Sequence, residues 1–188
     1  MSLSRIAKLT PQTTALFICD IQERFKGVIW QYPSVISCAG KMLKASKHLD
    51  IPLVVTEQYP KGLGATVGEL DISDATICLP KTKFSMFLPE VQQSHVCVLQ
   101  TALDLLDNSY DVHVLADGVS SCNHPEIDIA LARMRQAGAI ITTSESALFQ
   151  LVQDAKHEKF KDISALVKEY AEATKVNKVL FKNVPSSL

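Results

Sequence analysis

The feature that most constrains this chain is an apolar run with no polar alternation. Thr14-Ala15-Leu16-Phe17-Ile18-Cys19 runs unbroken into the acid Asp20. Successive residues of a strand point to opposite faces, so a strand with one wet face alternates apolar and polar side chains. A continuous apolar run suits a strand covered on both faces, as in a parallel sheet flanked by helices. The pattern then repeats. Pro33 opens a helical stretch with Val35, Ile36, Ala39, Met42, Leu43 and Leu49 on its apolar face. Pro52 introduces a second run, Leu53 to Thr56, and Ala75 to Leu79 reads as a short third strand. Further strands are expected at Val112–Ala116 and Ala139–Thr143. Helices are expected from about Cys97, from Pro125 through Gln136 with Gly138 as the stop, from Ser144 to Val152, and from Phe160 to Tyr170. Glu57 to Gly64 is a loop rich in breakers, Lys81 to Phe87 is a polar and aromatic loop, and the tail from Ala171 has little pattern. Strands alternating with helices imply right-handed crossovers. The expected fold is therefore α/β, three layers α/β/α around a mostly parallel sheet. The length of 188 residues suits one domain spanning 1–188, with a core of about 13–170 and a tail over 171–188.

In such a sheet the chemistry gathers at the carboxyl ends of the strands. The polar residues that follow strand-like runs are Asp20, Gln22, Glu57, Tyr59, Lys81 and Asp117. Cys97 stands where an apolar helical pattern begins, with Val98, Ala102, Leu105 and Leu106 at helical spacing. The positive end of a helix dipole favours thiolate over thiol. A thiol nucleophile also needs a base, and Asp20 can accept its proton if it faces Cys97. Lys81 can hold a carboxylate and a thiolate together and position a polar or anionic substrate. Taken singly, each has a plainer reading: a packed cysteine, a loop-bracing acid, a solvated lysine. Together they make a catalytic group of Asp20, Lys81 and Cys97. Gln22, Phe25, Tyr59 and His95 are the expected substrate-binding residues, with Phe25 and Tyr59 either lining the pocket or packing beside it. His95, two residues before Cys97, either pairs with the thiol or sits at the pocket edge.

The formal net charge is −1, which gives no support to a nucleic-acid or anionic-membrane partner. No apolar run approaches the length of a membrane span. The five cysteines are scattered, with no C-x-x-C pair, which fits reduced thiols rather than disulfides or zinc. A cytoplasmic setting is therefore expected. The acid-free N-terminus with Arg5 and Lys8 admits a weak mitochondrial address as a second reading. Neither a Walker loop nor G-x-G-x-x-G occurs, and no cofactor is expected. Phe160-Lys161 and the last helix read as a docking or oligomer element, so a homo-oligomer acting on a small molecule is the expected form.

Several segments in fixed order resemble the isochorismatase-like cysteine hydrolases, and among them the eukaryotic isochorismatase-domain-containing proteins. They are Phe17-Ile-Cys-Asp20-Ile-Gln22-Glu23-Arg-Phe25, Thr56-Glu57-Gln58-Tyr59-Pro60-Lys-Gly62-Leu-Gly64, Lys81-Thr-Lys-Phe-Ser85-Met, His95-Val-Cys97 with the helix after it, Asp117-Gly-Val-Ser120-Ser121, and Thr143-Ser144-Glu145. The likeness covers about Thr13 to Tyr170. It implies an Asp–Lys–Cys triad at Asp20, Lys81 and Cys97, with hydrolysis through a covalent thioester-type intermediate in the amidase branches. The isochorismatase branch cleaves a vinyl ether and need not use the cysteine. The Asp-x-His…His grouping of the nicotinamidase branch is missing between Pro52 and Pro80, so no metal is expected.

The sequence also departs from the family. An apolar strand, central to the sheet, normally stands just before the cysteine turn, and the backbone beside it supplies the oxyanion hole. Here Phe87-Leu-Pro-Glu-Val-Gln-Gln-Ser94 leads almost directly into His95. The expectation is a sheet lacking that strand. Two functional readings follow. One is a hydrolase of a small polar amide or related substrate. The alternative is a catalytically impaired member of the fold that works by binding or oligomer contacts. A third reading is a redox-responsive thiol at Cys97.

Overall fold

The computed structural model describes residues 7–87 and 97–180. Strand β1 (Leu16–Cys19) leads to helix α1 (Tyr32–His48), β2 (Leu53–Gln58), the short helix α2 (Pro60–Leu63) and β3 (Ile77–Lys81). After the undescribed segment come α3 (Cys97–Asp107), β4 (His113–Leu115), α4 (His124–Ala137), β5 (Ile140–Thr142), α5 (Ser144–Val152), α6 (Phe160–Glu169) and α7 (Ala171–Lys175). Pro33 and Pro125 stand in the first turns of α1 and α4, where a missing N–H costs nothing. Gly138, at φ 109°, ends α4. Two differences from the sequence reading are short helices: α2 inside the expected loop and α7 inside the expected patternless tail. Lys81 is also the last residue of β3 rather than the first of the loop.

All strand pairs among the described residues are parallel. Cys19 lies opposite Thr56 in the β1–β2 pair, and Gln58 lies opposite Lys81 in the β2–β3 pair. β4 and β5 pair separately, with Val114 opposite Ile141. Alternate residues of β4 reach different cores. Val114 packs with Ala102, Met134 and Ala139 of the α3–α4 side. Leu115 packs against a cluster of α1, α5 and α6 residues, including Met42, Leu148 and Ile163. Helices thus cover both faces of the sheet, giving the three layers. Each fully buried aliphatic side chain contributes about 1.5–3 kcal/mol relative to exposure. The apolar face of α6 is used here: Ile163 is 0% exposed and Leu166 4%. That helix docks within the chain, so its pattern is no argument for an oligomer. Among the described residues no helix is long and apolar enough to cross a membrane.

The strands form two groups, β1-β2-β3 and β4-β5, and no described strand joins β1 to β4. The strand expected to be missing ahead of Cys97 concerns residues 88–96, which lie outside the described residues. The burial pattern follows the topology. β2 has a strand on each side, and Leu53 through Thr56 are all buried. Among the described residues β1 pairs with β2 alone, and of its four residues only Ile18 is buried. In β4, both ring nitrogens of His113 are shut from solvent without a hydrogen bond of ordinary geometry.

Candidate active site

The sheet register assembles the site. β1 ends at Cys19 beside Thr56, and Asp20 follows in a left-handed turn at φ 53°. Aspartate tolerates that conformation better than most residues. Asp20 is 6% exposed, and both carboxylate oxygens are engaged. Oδ1 accepts the Thr56 hydroxyl at 2.8 Å, and Oδ2 accepts Lys81 Nζ at 2.5 Å. Lys81 reaches Asp20 from β3, two strands away. Its ammonium also donates to Gln58 Oε1 at 2.8 Å, the Phe84 carbonyl at 2.7 Å and the Lys83 carbonyl at 3.1 Å. The Lys81 and Asp20 side chains are only 1% and 4% exposed. Water screens such a pair little, so each charge depends on the other for its place in the interior.

Cys97 is the first residue of α3 and is half-buried. Its Sγ, the Cys19 Sγ and an Asp20 carboxylate oxygen lie within 4.8 Å of one another. The sequence reading brought Asp20, Lys81 and Cys97 to one place, and the structure puts them there. Cys19 joins them. A hydrogen bond from the Cys19 thiol holds the Cys97 thiol below its ordinary pKa; burial and Asp20 oppose this, and Lys81 assists. The dipole of α3 acts in the same direction. Cys19 is pushed well above the ordinary range by that same hydrogen bond, by burial and by Asp20. A thiol 3.6 Å from Asp20 Oδ2 therefore stands beside a group that favours thiolate.

A short relay fixes Cys97 relative to Lys81. The loop whose carbonyls hold Lys81 continues to Met86, whose N–H donates to Thr101 Oγ1 at 2.9 Å. The Thr101 hydroxyl in turn donates to the Cys97 carbonyl at 2.5 Å. Ser85 and Met86 are 0% and 1% exposed, so this link is inside the protein.

The other expected residues fall in different places. Gln22, expected among the substrate contacts, is 0% exposed with its amide spent on backbone. Nε2 donates to the carbonyls of Gln58 and Gly64, and Oε1 accepts the Gln58 N–H at 2.7 Å. Phe25 packs at the edge of the β1–β2 core. Tyr59 is 54% exposed, with φ 38°, and its N–H donates to the Lys81 carbonyl at 2.7 Å. A Cβ at Gly62 would come within 2.5 Å of the Tyr59 ring, so that glycine gives the ring its room. His95 lies outside the described residues. Two strand-end acids brace loops. Glu57 Oε1 accepts both the N–H and the hydroxyl of Thr66, at 2.7 and 2.9 Å. Asp117 accepts the Ser144 N–H at 2.8 Å and the Ser144 hydroxyl, at the start of α5.

Sequence reasoning did not single out Cys19, Thr56, Gln58 or Thr101 as site residues. Position alone could have suggested Cys19, since it adjoins Asp20. The other three depend on register or on a helical turn. Cys19, Asp20 and Cys97 are close enough to share an ion. However, Thr56 and Lys81 occupy both oxygens of Asp20, and an ammonium 2.5 Å away repels a cation, so the donor set suits a metal poorly.

Comparison with known proteins gives a consistent result. The isochorismatase domain family matches residues 14–146. Isochorismatase domain-containing protein 2 of Xenopus laevis is 46% identical over 187 residues, covering 90% of this chain and 91% of that protein. The alignment is longer than the part of this chain it takes in, so the relative carries positions with no counterpart here. A secreted isochorismatase effector, Isc1, of Phytophthora sojae is 45% identical over 88% of this chain and 90% of its own length. Among solved structures, a MAR1 ribonuclease from Caenorhabditis elegans superposes with a TM-score of 0.81 at 42% identity, over 86% of this chain and 93% of that one. The Escherichia coli YcaC product, described as an octameric hydrolase of unknown specificity, gives 0.77 at 19% identity, over 96% and 97%. At that identity the likeness shows the fold.

Proposed function

Because the chain belongs to the isochorismatase family, we propose that it is a cysteine hydrolase of a small polar amide or related acyl substrate. The single observation that supports this is the meeting of Cys97, Asp20 and Lys81 at the carboxyl ends of β1 and β3, with Cys97 opening a helix. Cys97 is the nucleophile. Its thiolate attacks the carbonyl carbon, and the C–N bond breaks to leave a thioester on Cys97 and an amine that takes up a proton. Asp20 is the general base that draws a proton from water in the second half. The C–S bond then breaks, leaving a carboxylic acid and the thiol. Lys81 fixes the Asp20 carboxylate and contributes positive charge beside the thiolate. Gln22 is a positioning residue in this scheme: its fully bonded amide holds β2 at Gln58, and Gln58 in turn holds Lys81. Phe25, Tyr59 and His95 remain the proposed substrate contacts.

Family membership favours this hydrolase reading over the impaired binding protein. The test is release of amine or ammonia from a panel of small amides by the wild type, Cys97→Ala and Asp20→Asn, with intact-mass detection of an acyl-enzyme. Turnover and a thioester adduct in the wild type alone are expected. Full activity in Cys97→Ala would sink the covalent mechanism. The nematode relative's description as a ribonuclease supplies a second substrate class, an RNA phosphodiester, and a short labelled RNA belongs in the same panel. A working thiol suits a reducing compartment such as the cytoplasm. Self-association has to use a surface other than the apolar face of α6, and light scattering reads it directly.

A further inference from the structure

Two sulfurs meet at this site, and the hydrolytic scheme uses only one. Cys38 is buried with its thiol pushed up to about 12 by desolvation, and Cys78 and Cys122 lie on the surface. Cys19 and Cys97 differ from these in facing each other, within 4.8 Å, beside a lysine ammonium and a carboxylate. The occupied Asp20 oxygens argue against a shared metal, which leaves the chemistry of a dithiol.

We propose that Cys19 and Cys97 form a redox pair, in which a hydroperoxide oxidises Cys97 and Cys19 resolves the product to an intramolecular disulfide. In the first step the Cys97 thiolate attacks a peroxide oxygen. An S–O bond forms and the O–O bond breaks; the departing oxide takes up a proton and leaves as water or alcohol. In the second step the Cys19 sulfur attacks the Cys97 sulfenic acid. An S–S bond forms, the S–O bond breaks, and the hydroxide leaves as water with the proton from Cys19. Asp20 Oδ2, 3.6 Å from the Cys19 sulfur, is placed to receive that proton first. Two thiols lose two electrons and the peroxide gains them. The sulfurs, now within 4.8 Å, must close to a bond of about 2.05 Å. A small thiol or thioredoxin-type reductant reverses the bond by exchange. The regulatory consequence, loss of hydrolysis on oxidation, rests on the nucleophile reading above; the bond itself does not.

The test uses the full chain, treated with limiting hydrogen peroxide, quenched by alkylation and mapped without reduction. The expected product is a linked pair of peptides carrying Cys19 and Cys97, lighter by two hydrogen masses and released by dithiothreitol. With a second equivalent of peroxide, Cys19→Ser should carry Cys97 through the sulfenic acid to the sulfinic acid, heavier by two oxygen atoms. The wild-type map stands by itself if that variant fails to fold. Oxidation of Cys97 straight to sulfinic acid in the wild type, without the linked pair, would overturn the proposal. So would preferential oxidation of Cys78 or Cys122. A linked pair in a protein that turns over no amide keeps the redox inference and removes the hydrolase. Amide turnover without a linked pair does the reverse.

Discussion

Replacing Lys81 by methionine should be the most damaging single change near the site. Methionine keeps much of the length and apolar stem of lysine and removes the charge. The Asp20 carboxylate, in a side chain 4% exposed, then keeps the Thr56 hydroxyl and the weak donor of the Cys19 thiol but no positive charge. Gln58 Oε1 and the Lys83 and Phe84 carbonyls lose a donor as well. Removing one partner of a buried ion pair costs about 3–5 kcal/mol, because the other charge stays behind uncompensated. Typical domain stability is about 5–15 kcal/mol, so the loss is a large share. With a urea dependence of about 2 kcal/mol per molar, the unfolding midpoint should fall by about 2 M. Two comparisons isolate the cause. The double variant Asp20→Asn with Lys81→Met removes both charges and should recover more than half of the lost midpoint. Lys47 and Asp74 form an ion pair at the same 2.5 Å, but their side chains are 70% and 59% exposed. Lys47→Met should leave the midpoint within error, since solvent screens that pair. Equal shifts for Lys81→Met and Lys47→Met would refute the argument that burial sets the strength. A double variant as unstable as the single would refute the stranded charge.

Three further outcomes are expected. Cys97 should reach full iodoacetamide reactivity at a lower pH than Cys78, whose thiol is pushed up by burial and Glu57, and Cys19→Ala should move the Cys97 profile upward; a Cys97 profile at or above that of Cys78 would contradict the hydrogen-bonded pair. Asp117→Ala strips two hydrogen bonds from the start of α5 and should lower stability by about 1–2 kcal/mol. Its Cys97 alkylation rate should be unchanged, and a large loss of that reactivity would move Asp117 into the site. Burial pulls His113 below its ordinary pKa, against smaller upward pushes from the Ala7 carbonyl and Asp111. The unfolded chain therefore binds this proton more tightly, and the contribution of His113 to stability is complete above about pH 6.5 and is lost as pH falls below it. His113→Gln should flatten that acid limb in pH-dependent urea unfolding, and an unchanged slope would exclude His113 as its source.

The fold was legible because its strongest signals are local. The apolar run into Asp20 became β1 (Leu16–Cys19), and Pro33, Pro125 and Gly138 mark helix ends where their backbone chemistry requires. The missing alternation in Leu53 to Thr56 matches a strand flanked on both sides, the most buried of the five described. The short helices α2 and α7 were not legible. Four or five residues give too few turns for a period, and their helicity follows from what they pack against. Helix α6 showed the limit of pattern reading, since an amphipathic face says that something covers it and not what. Here the rest of the chain covers it, through Ile163 and Leu166.

The site divides along the same line. Sequence by itself determined which chemical groups this protein has at its strand ends: an acid at 20, a lysine at 81, and a cysteine at 97 opening a helix. These follow from position along the chain, because strand and helix termini are local events. Only the tertiary structure decided which groups meet. Parallel register carries Lys81 across β2 to Asp20 and sets Gln58 beside it. It also turned Gln22, Glu57 and Asp117, similar in kind to the site residues when read in order, into braces for backbone. The approach of Cys19 to Cys97 spans 78 positions and no local pattern encodes it. The physical reason is range. Propensity and periodicity act over a few residues, whereas hydrogen bonds and charge pairing act over a few ångströms, between residues that folding alone brings together.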